Sequence, residues 1–118
     1  MITDNELCEF EQSLFTGVTV GVGSIILLFS SGGRVLIQCP FECEQKEHSH
    51  MGHGEAVLTS DFLFPFLNKK VELCCFLNGE TLKISFGCEG CIYIYPESNG
   101  LESYVITTSQ GDYPIVVY

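Results

Sequence analysis

Positive charge is scarce in this chain. Its 118 residues include 5 Lys and Arg against 15 Asp and Glu, a formal net charge of −10. A surface of that sign repels phosphate backbones, so nucleic acid is not an expected partner. A basic protein is the natural complement, because opposite potentials steer encounter and set register. The same acidity also serves plain solubility. Long apolar runs are missing as well. The most apolar segment, Ile25 to Phe29, is far shorter than the ~20 residues that cross a bilayer, so no membrane partner is expected. Neither a signal-peptide pattern nor an Arg-rich amphipathic segment opens the sequence, which predicts a cytoplasmic location.

Catalytic signatures are equally scarce. There is no nucleophile elbow, no Gly-rich phosphate loop and no metalloprotease helix, so neither an enzyme nor a cofactor is expected. Cysteine is present, but its count of seven is odd and argues for a reducing compartment rather than a disulfide framework. Cys39, Cys74 and Cys75 fall in apolar strand patterns, where a free thiol acts as a small hydrophobe. The length suits a single domain, residues 1–118, with one core.

What the chain does hold is a repeated hairpin. Leu82, Ile84 and Phe86 alternate with polar Thr81, Lys83 and Ser85, the period of a half-buried strand. Gly87-Cys88-Glu89-Gly90 supplies the turn, and Ile92 and Ile94 return on the same alternation. Residues 24–37 match this stretch at a constant offset of 57, with Ile25 on Leu82, Phe29 on Phe86, Gly33 on Gly90 and Ile37 on Ile94. Upstream, an offset of 53 sets Leu14 on Leu67, Val18 on Val71 and Val20 on Leu73. The internal repeat therefore spans 14–41 and 67–96, two three-stranded antiparallel meanders. With strands over 104–108 and 115–118, this predicts a mainly β fold of eight strands. The expected form is a β-sandwich or partly open barrel. A short amphipathic helix over Thr3 to Leu14 covers one end, with Leu7, Phe10 and Leu14 inward and Gly17 ending it. Thr59-Ser60-Asp61 starts a second short helical turn before Pro65, and Phe62, Phe66 and Leu67 plug the sandwich end. His48 to Gly54 has turn chemistry and no apolar period, which predicts a loop.

Metal chemistry has two candidate ligand sets. Cys88 and Cys91 have zinc-knuckle spacing, and Cys39 and Cys43 form a second pair. Against zinc, the repeat-equivalent turn Ser30-Ser31-Gly32-Gly33-Arg34 contains no Cys, so the hairpin closes without metal in one copy. His48, His50 and His53, beside Glu47 and Glu55, form a His-rich tract, but Gly52 and Gly54 argue against a preorganised site. The expectation is no metal, with a zinc-binding structural module as the alternative. A non-enzymatic adaptor, with Tyr93, Tyr95, Tyr104 and Tyr118 as an aromatic platform, is another.

The order of elements resembles a family of small bacterial immunity proteins that protect cells from contact-dependent growth inhibition and related polymorphic toxins. The residues that carry the resemblance are the Gly-containing strand Leu14 to Val22, the apolar strand Ile25 to Phe29 and the Gly32-Gly33 turn. Val35 to Ile37, Pro40-Phe41, the second copy Val71 to Tyr95 and the closing segment Leu101 to Ile106 complete it. The Cys pairs and the His tract depart from that pattern. The resemblance implies a non-enzymatic inhibitor of a cognate toxin domain, in many such systems a basic nuclease such as a tRNA nuclease. The toxin-binding candidates are the linker acids Glu42, Glu44 and Glu47 and the C-terminal acids Glu97, Glu102 and Asp112.

Overall fold

Alternating apolar residues build the strands. The computed structural model describes residues 2–118. Its elements are helix α1 (Asp4–Leu7), a 3-10 turn (Cys8–Phe10), β1 (Phe15–Gly21), β2 (Ser24–Phe29), β3 (Arg34–Ile37), β4 (Pro40–Gln45) and β5 (His48–His53). A 3-10 helix (Val57–Phe66) then leads to β6 (Leu73–Phe76), β7 (Leu82–Ser85), a 3-10 turn (Gly87–Glu89), β8 (Cys91–Ile94), β9 (Glu102–Thr108) and β10 (Gly111–Val116). Two five-stranded antiparallel sheets pack face to face, in the orders β1-β2-β3-β9-β10 and β5-β4-β8-β7-β6. The result is an open sandwich and not a barrel.

The duplication reaches further than the two meanders. Exchanging each of β1–β5 with the strand five places on, in both directions, converts the first sheet order into the second, read in reverse. Each half thus contributes a meander to one sheet and a hairpin to the other. The central hairpins keep the offset of 57, since Ile25 pairs with Ile37 as Leu82 does with Ile94. The turns match too, with Phe29 N–H donating to the Gly33 carbonyl (3.1 Å) and Phe86 N–H to that of Gly90 (2.8 Å). The predicted offset of 53 upstream is corrected to 56. Val18 opposes Leu27, and it is Cys74, not Val71, that opposes Ile84. The misreading arose because Leu73 and Cys74 are both apolar, while only Cys74 enters the core. The two halves also meet where Leu14 bridges Lys70, residues equivalent at the corrected offset.

Ten strands form where eight were expected. The predicted loop over 48–54 is largely strand, because β5 pairs with β4 from Gln45–His48 to Pro40–His53. Its core-side positions hold no aliphatic residue. Gly52 lies under the Phe41 ring, where a Cβ would come within 2.4 Å of Phe41 Cζ. His50 stacks on Phe62, centroids 4.8 Å apart, at the sheet edge. The N-terminal helix is shorter than expected. Gln12 takes a positive φ of 71°, and the backbone then turns to bond Val71 and Lys69 instead of continuing helical. Gly17 accordingly lies inside β1 rather than at a helix end.

The inward hairpin residues Ile25, Leu27, Phe29, Val35 and Ile37 and their repeat mates Leu82, Ile84, Phe86, Ile92 and Ile94 are all buried, as the alternation predicts. A row of rings runs through the sandwich: Phe10 to Phe29 at 5.2 Å, Phe29 to Phe15 at 5.4 Å, Phe15 to Phe86 at 6.1 Å and Phe86 to Phe66 at 4.9 Å. Each buried ring contributes about 1.5–3 kcal/mol of transfer free energy. Phe66 plugs the end as expected, with Phe62 and Leu67 half-buried beside it, while Leu14, expected inward, is 38% exposed.

Candidate functional site

The two sheet exteriors occupy repeat-equivalent positions, and their central rows differ in chemistry. Across the first sheet, Ile26 stands beside Leu36, Leu36 beside Val105 and Val105 beside Pro114. Across the second, the equivalent row is Lys83, Tyr93, Glu42 and Met51. Strand alternation puts these side chains outward, since their neighbours Leu82, Ile84, Ile92, Ile94, Phe41 and Cys43 fill the core. The core has been kept in both halves. The first face carries Arg34 and Asp112 in the neighbouring row, on either side of Thr107, while the second adds Glu42, Glu44 and Lys83 and holds both outward tyrosines of the central strands.

Glu42 is the centre of that face. Its carboxylate accepts hydrogen bonds from the Ser49 hydroxyl of β5 and from the Tyr95 phenol that follows β8, the latter at 2.5 Å. These two donors hold the Glu42 carboxyl below its usual range. Tyr95 stacks on Tyr93, centroids 6.3 Å apart and planes 15° from parallel, and the Lys83 ammonium sits 6.0 Å from the Tyr93 ring centre. Burial, the Cys91 thiol and the Glu44 and Glu42 carboxylates push the Tyr93 phenol up to about 12. Burial and the Glu42 bond raise Tyr95 as well. At neutral pH both tyrosines are therefore neutral donors beside a fixed anion. Glu44 stands exposed one step along β4, opposite Cys91.

The six candidate acids do not form one site. Glu42 and Glu44 share the second face, and Glu47 lies in the turn between β4 and β5. Glu97 and Glu102 line a separate cleft of about 540 Å³ at the opposite end of β4, with Gln38, Asn99, Leu101 and Glu55. Asp112 belongs to the first sheet, where its carboxylate accepts the Thr107 hydroxyl at 2.7 Å. Sequence reasoning missed Ser49 and Lys83 as parts of the second face, and Glu55, expected beside the histidines, also lines the Glu97 cleft. Only the pairing of β5, β4, β8 and β7 brings the first two to Glu42 and Tyr93, and no local pattern announces it.

The cysteine pairs stand apart from one another. Cys39 and Cys43 are buried, while Cys91 lies on the outer face and Cys88 is exposed in the turn. Burial pushes the Cys39 and Cys43 thiols up to about 12. His50 and His53 alternate to opposite sides of β5, and the His53 ring points to Glu55 at 3.9 Å. Among the described residues, no three His, Cys, Asp or Glu side chains are placed to hold a metal ion. The proposed aromatic platform loses Tyr104, which is buried with its hydroxyl on the Glu80 carbonyl. No helix among the described residues is long and apolar enough to cross a membrane. Comparison with protein-family models, curated proteins and solved structures gives no match.

Proposed function

We propose that this chain is an immunity protein that binds and neutralises a cognate toxin domain, without turnover, through the outer face of its second sheet. The observation that carries the reading is the contrast between the two exteriors. Where the first sheet has Leu36 and Val105, the second has Tyr93 and Glu42. A carboxylate fixed by Ser49 and Tyr95, an exposed Glu44 and a stacked tyrosine pair form a rigid anionic and aromatic surface. Such a surface suits Arg and Lys side chains, by charge-assisted hydrogen bonds and by stacking on the rings. A basic nuclease offers those side chains around its substrate cleft, and the −10 charge would steer its capture. Glu47 extends the surface at the hairpin tip, and Glu97, Glu102 and Asp112 drop to secondary candidates on other faces.

The test is co-expression with the toxin domain encoded beside this chain, together with binding kinetics on the purified pair. Protection of cells and a tight one-to-one complex are expected. Glu44→Lys combined with Glu47→Lys should slow association by about tenfold while dissociation changes little, because rim charges act on encounter. Full protection by this double variant would move the interface to the Glu97 and Glu102 cleft. A wild-type chain that neither binds nor protects would refute the immunity reading.

A further inference from the structure

Charge is absent from one continuous part of the chain. Gln12 to Gly33 contain no Asp, Glu, Lys or Arg, although the whole chain carries −10. This stretch holds β1 and β2, and β1 is a sheet edge. An unpaired edge is a template for another strand unless something blocks it. The other edges are protected. β6 is only four residues long. β10 carries Pro114 in mid-strand, and β5 is flanked by the 3-10 helix, with His50 stacked on Phe62. On β1, among the described residues, backbone bonds from outside the sheet reach only the first residue, Phe15, through the Asn68 and Lys69 backbone. From Thr16 to Gly21 the edge is free of charge and proline, and Val20 is 38% exposed.

This free edge reads the same in both directions. Gly17-Val18-Thr19-Val20-Gly21 is a palindrome centred on Thr19. We infer that β1 pairs antiparallel with β1 of a second copy of this chain, about a dyad at Thr19. Val18 then opposes Val20 of the other copy, Gly17 opposes Gly21, and the two Thr19 side chains meet. The hydrogen-bonding phase fits. The tight turn at Val22-Gly23 closes on the Gly21–Ser24 pair. Alternation along the ladder turns Thr19 toward β2 and leaves the Val18 and Val20 amides and carbonyls facing outward. Those are the groups that the dyad pairs. On the core side, half-buried Val18 and exposed Val20 would join the two cores, and on the outer side Thr19 would meet Thr19. A second copy is favoured over a charged partner because each chain is strongly acidic. Two such chains can approach closely only through a surface that carries no charge. The pairing joins the two first sheets into one of ten strands and leaves the Glu42 face free.

Sedimentation equilibrium and amide hydrogen exchange on the full chain test the inference. A dimer of twice 13.1 kDa is expected. It should tighten as salt rises, because screening removes the repulsion between two acidic chains. Capture of a basic toxin should weaken under the same change. The Val18 and Val20 amides should exchange more slowly as protein concentration rises. Thr19→Lys and Thr19→Glu should each be monomeric, and mixing them should restore a dimer. His48→Lys, which adds the same charge at another strand edge, should leave dimerisation intact. A wild-type chain that remains monomeric at high salt would overturn the proposal, as would Thr19→Lys dimerising as wild type does or a mixture that stays monomeric. Protection of cells by a monomeric Thr19→Lys variant would leave the toxin reading standing on its own.

Discussion

Removing the Phe86 ring tests whether the two halves share one aromatic core. Phe86 is 2% exposed, with ring centres 4.9 Å from Phe66 and 6.1 Å from Phe15. Phe86→Ala leaves a cavity that packed neighbours close only in part, so the expected loss is about 3–5 kcal/mol. Unfolding entropy of about 2.1 cal/mol/K per residue gives roughly 0.25 kcal/mol/K for this length, so Tm should fall by about 12–20 °C. A stability of about 5–15 kcal/mol leaves room for the variant to fold. The repeat mate Phe29 is 4% exposed and touches Phe10 at 5.2 Å and Phe15 at 5.4 Å, so Phe29→Ala should lose a similar amount. Phe64, 47% exposed, should lose no more than about 0.5 kcal/mol when truncated. Because Phe29 and Phe86 both lean on Phe15, the double variant should depart from additivity by about 0.5 kcal/mol or more. Urea unfolding followed by circular dichroism gives all four values. If Phe86→Ala costs no more than Phe64→Ala, or if Phe29 and Phe86 behave as independent sites, the shared aromatic row is refuted.

Further outcomes follow from Glu42 and from the cysteines. Glu42 has a depressed carboxyl pKa in the fold, so its contribution is present above the ordinary value of 4.5 and is lost as pH falls through its folded pKa. In Tyr95→Phe, carboxyl NMR should show Glu42 titrating closer to 4.5, and an unchanged midpoint would mean that the phenol does not hold it. Exposed Cys8 and Cys88 should react first with a disulfide reagent, and buried Cys39, Cys43 and Cys74 only on unfolding. Because Cys39 and Cys43 are raised from 9.0 to about 12, stability should decline as pH rises above about 9, and fast labelling of Cys43 in the native state would contradict its placement.

The legible part of the fold was the part with aliphatic alternation. Ile25-Ile26-Leu27-Leu28-Phe29 and Leu82-Lys83-Ile84-Ser85-Phe86 share their inward residues, so the hairpins and their offset could be read directly. β5 could not, because its inward positions are His50 and Gly52, and Phe41 fills the space that a side chain at Gly52 would take. A signal was nevertheless present. The β4–β5 hairpin maps onto β9–β10 at an offset of 63, with Glu42 opposite Met51 as Val105 is opposite Pro114. β10 has Ile115 where β5 has Gly52, and so only the later copy looks like a strand. The exchange of hairpins between sheets was not legible at all, because short connections at Gln38-Cys39 and after Tyr95 fit one sheet as well as two. Of the candidate acids, Glu42 and Glu44 were identifiable by charge. Their setting was not, since Tyr95 reaches Glu42 from 53 residues away.

Divergence between the repeats separates what holds the protein together from what it presents. Inward positions were conserved in kind: Ile25 and Leu82, Leu27 and Ile84, Val35 and Ile92 are all buried aliphatics. Outward positions were not, with Ile26, Leu28, Leu36 and Val105 set against Lys83, Ser85, Tyr93 and Glu42. Packing explains the first set, because changing a core residue leaves a cavity or a clash. It does not require the second set, since any residue that tolerates an extended backbone could stand there. Solubility alone would favour charge all over an acidic protein, yet β1 and β2 carry none, and the outer charges Arg34 and Asp112 of the first sheet lie on β3 and β10. A charge-free edge strand with a charge-free neighbour suits a like-charged copy, and a carboxylate with two phenols suits a basic partner. The two proposed associations should respond to salt in opposite directions, so one salt titration followed by sedimentation and by toxin binding would separate them.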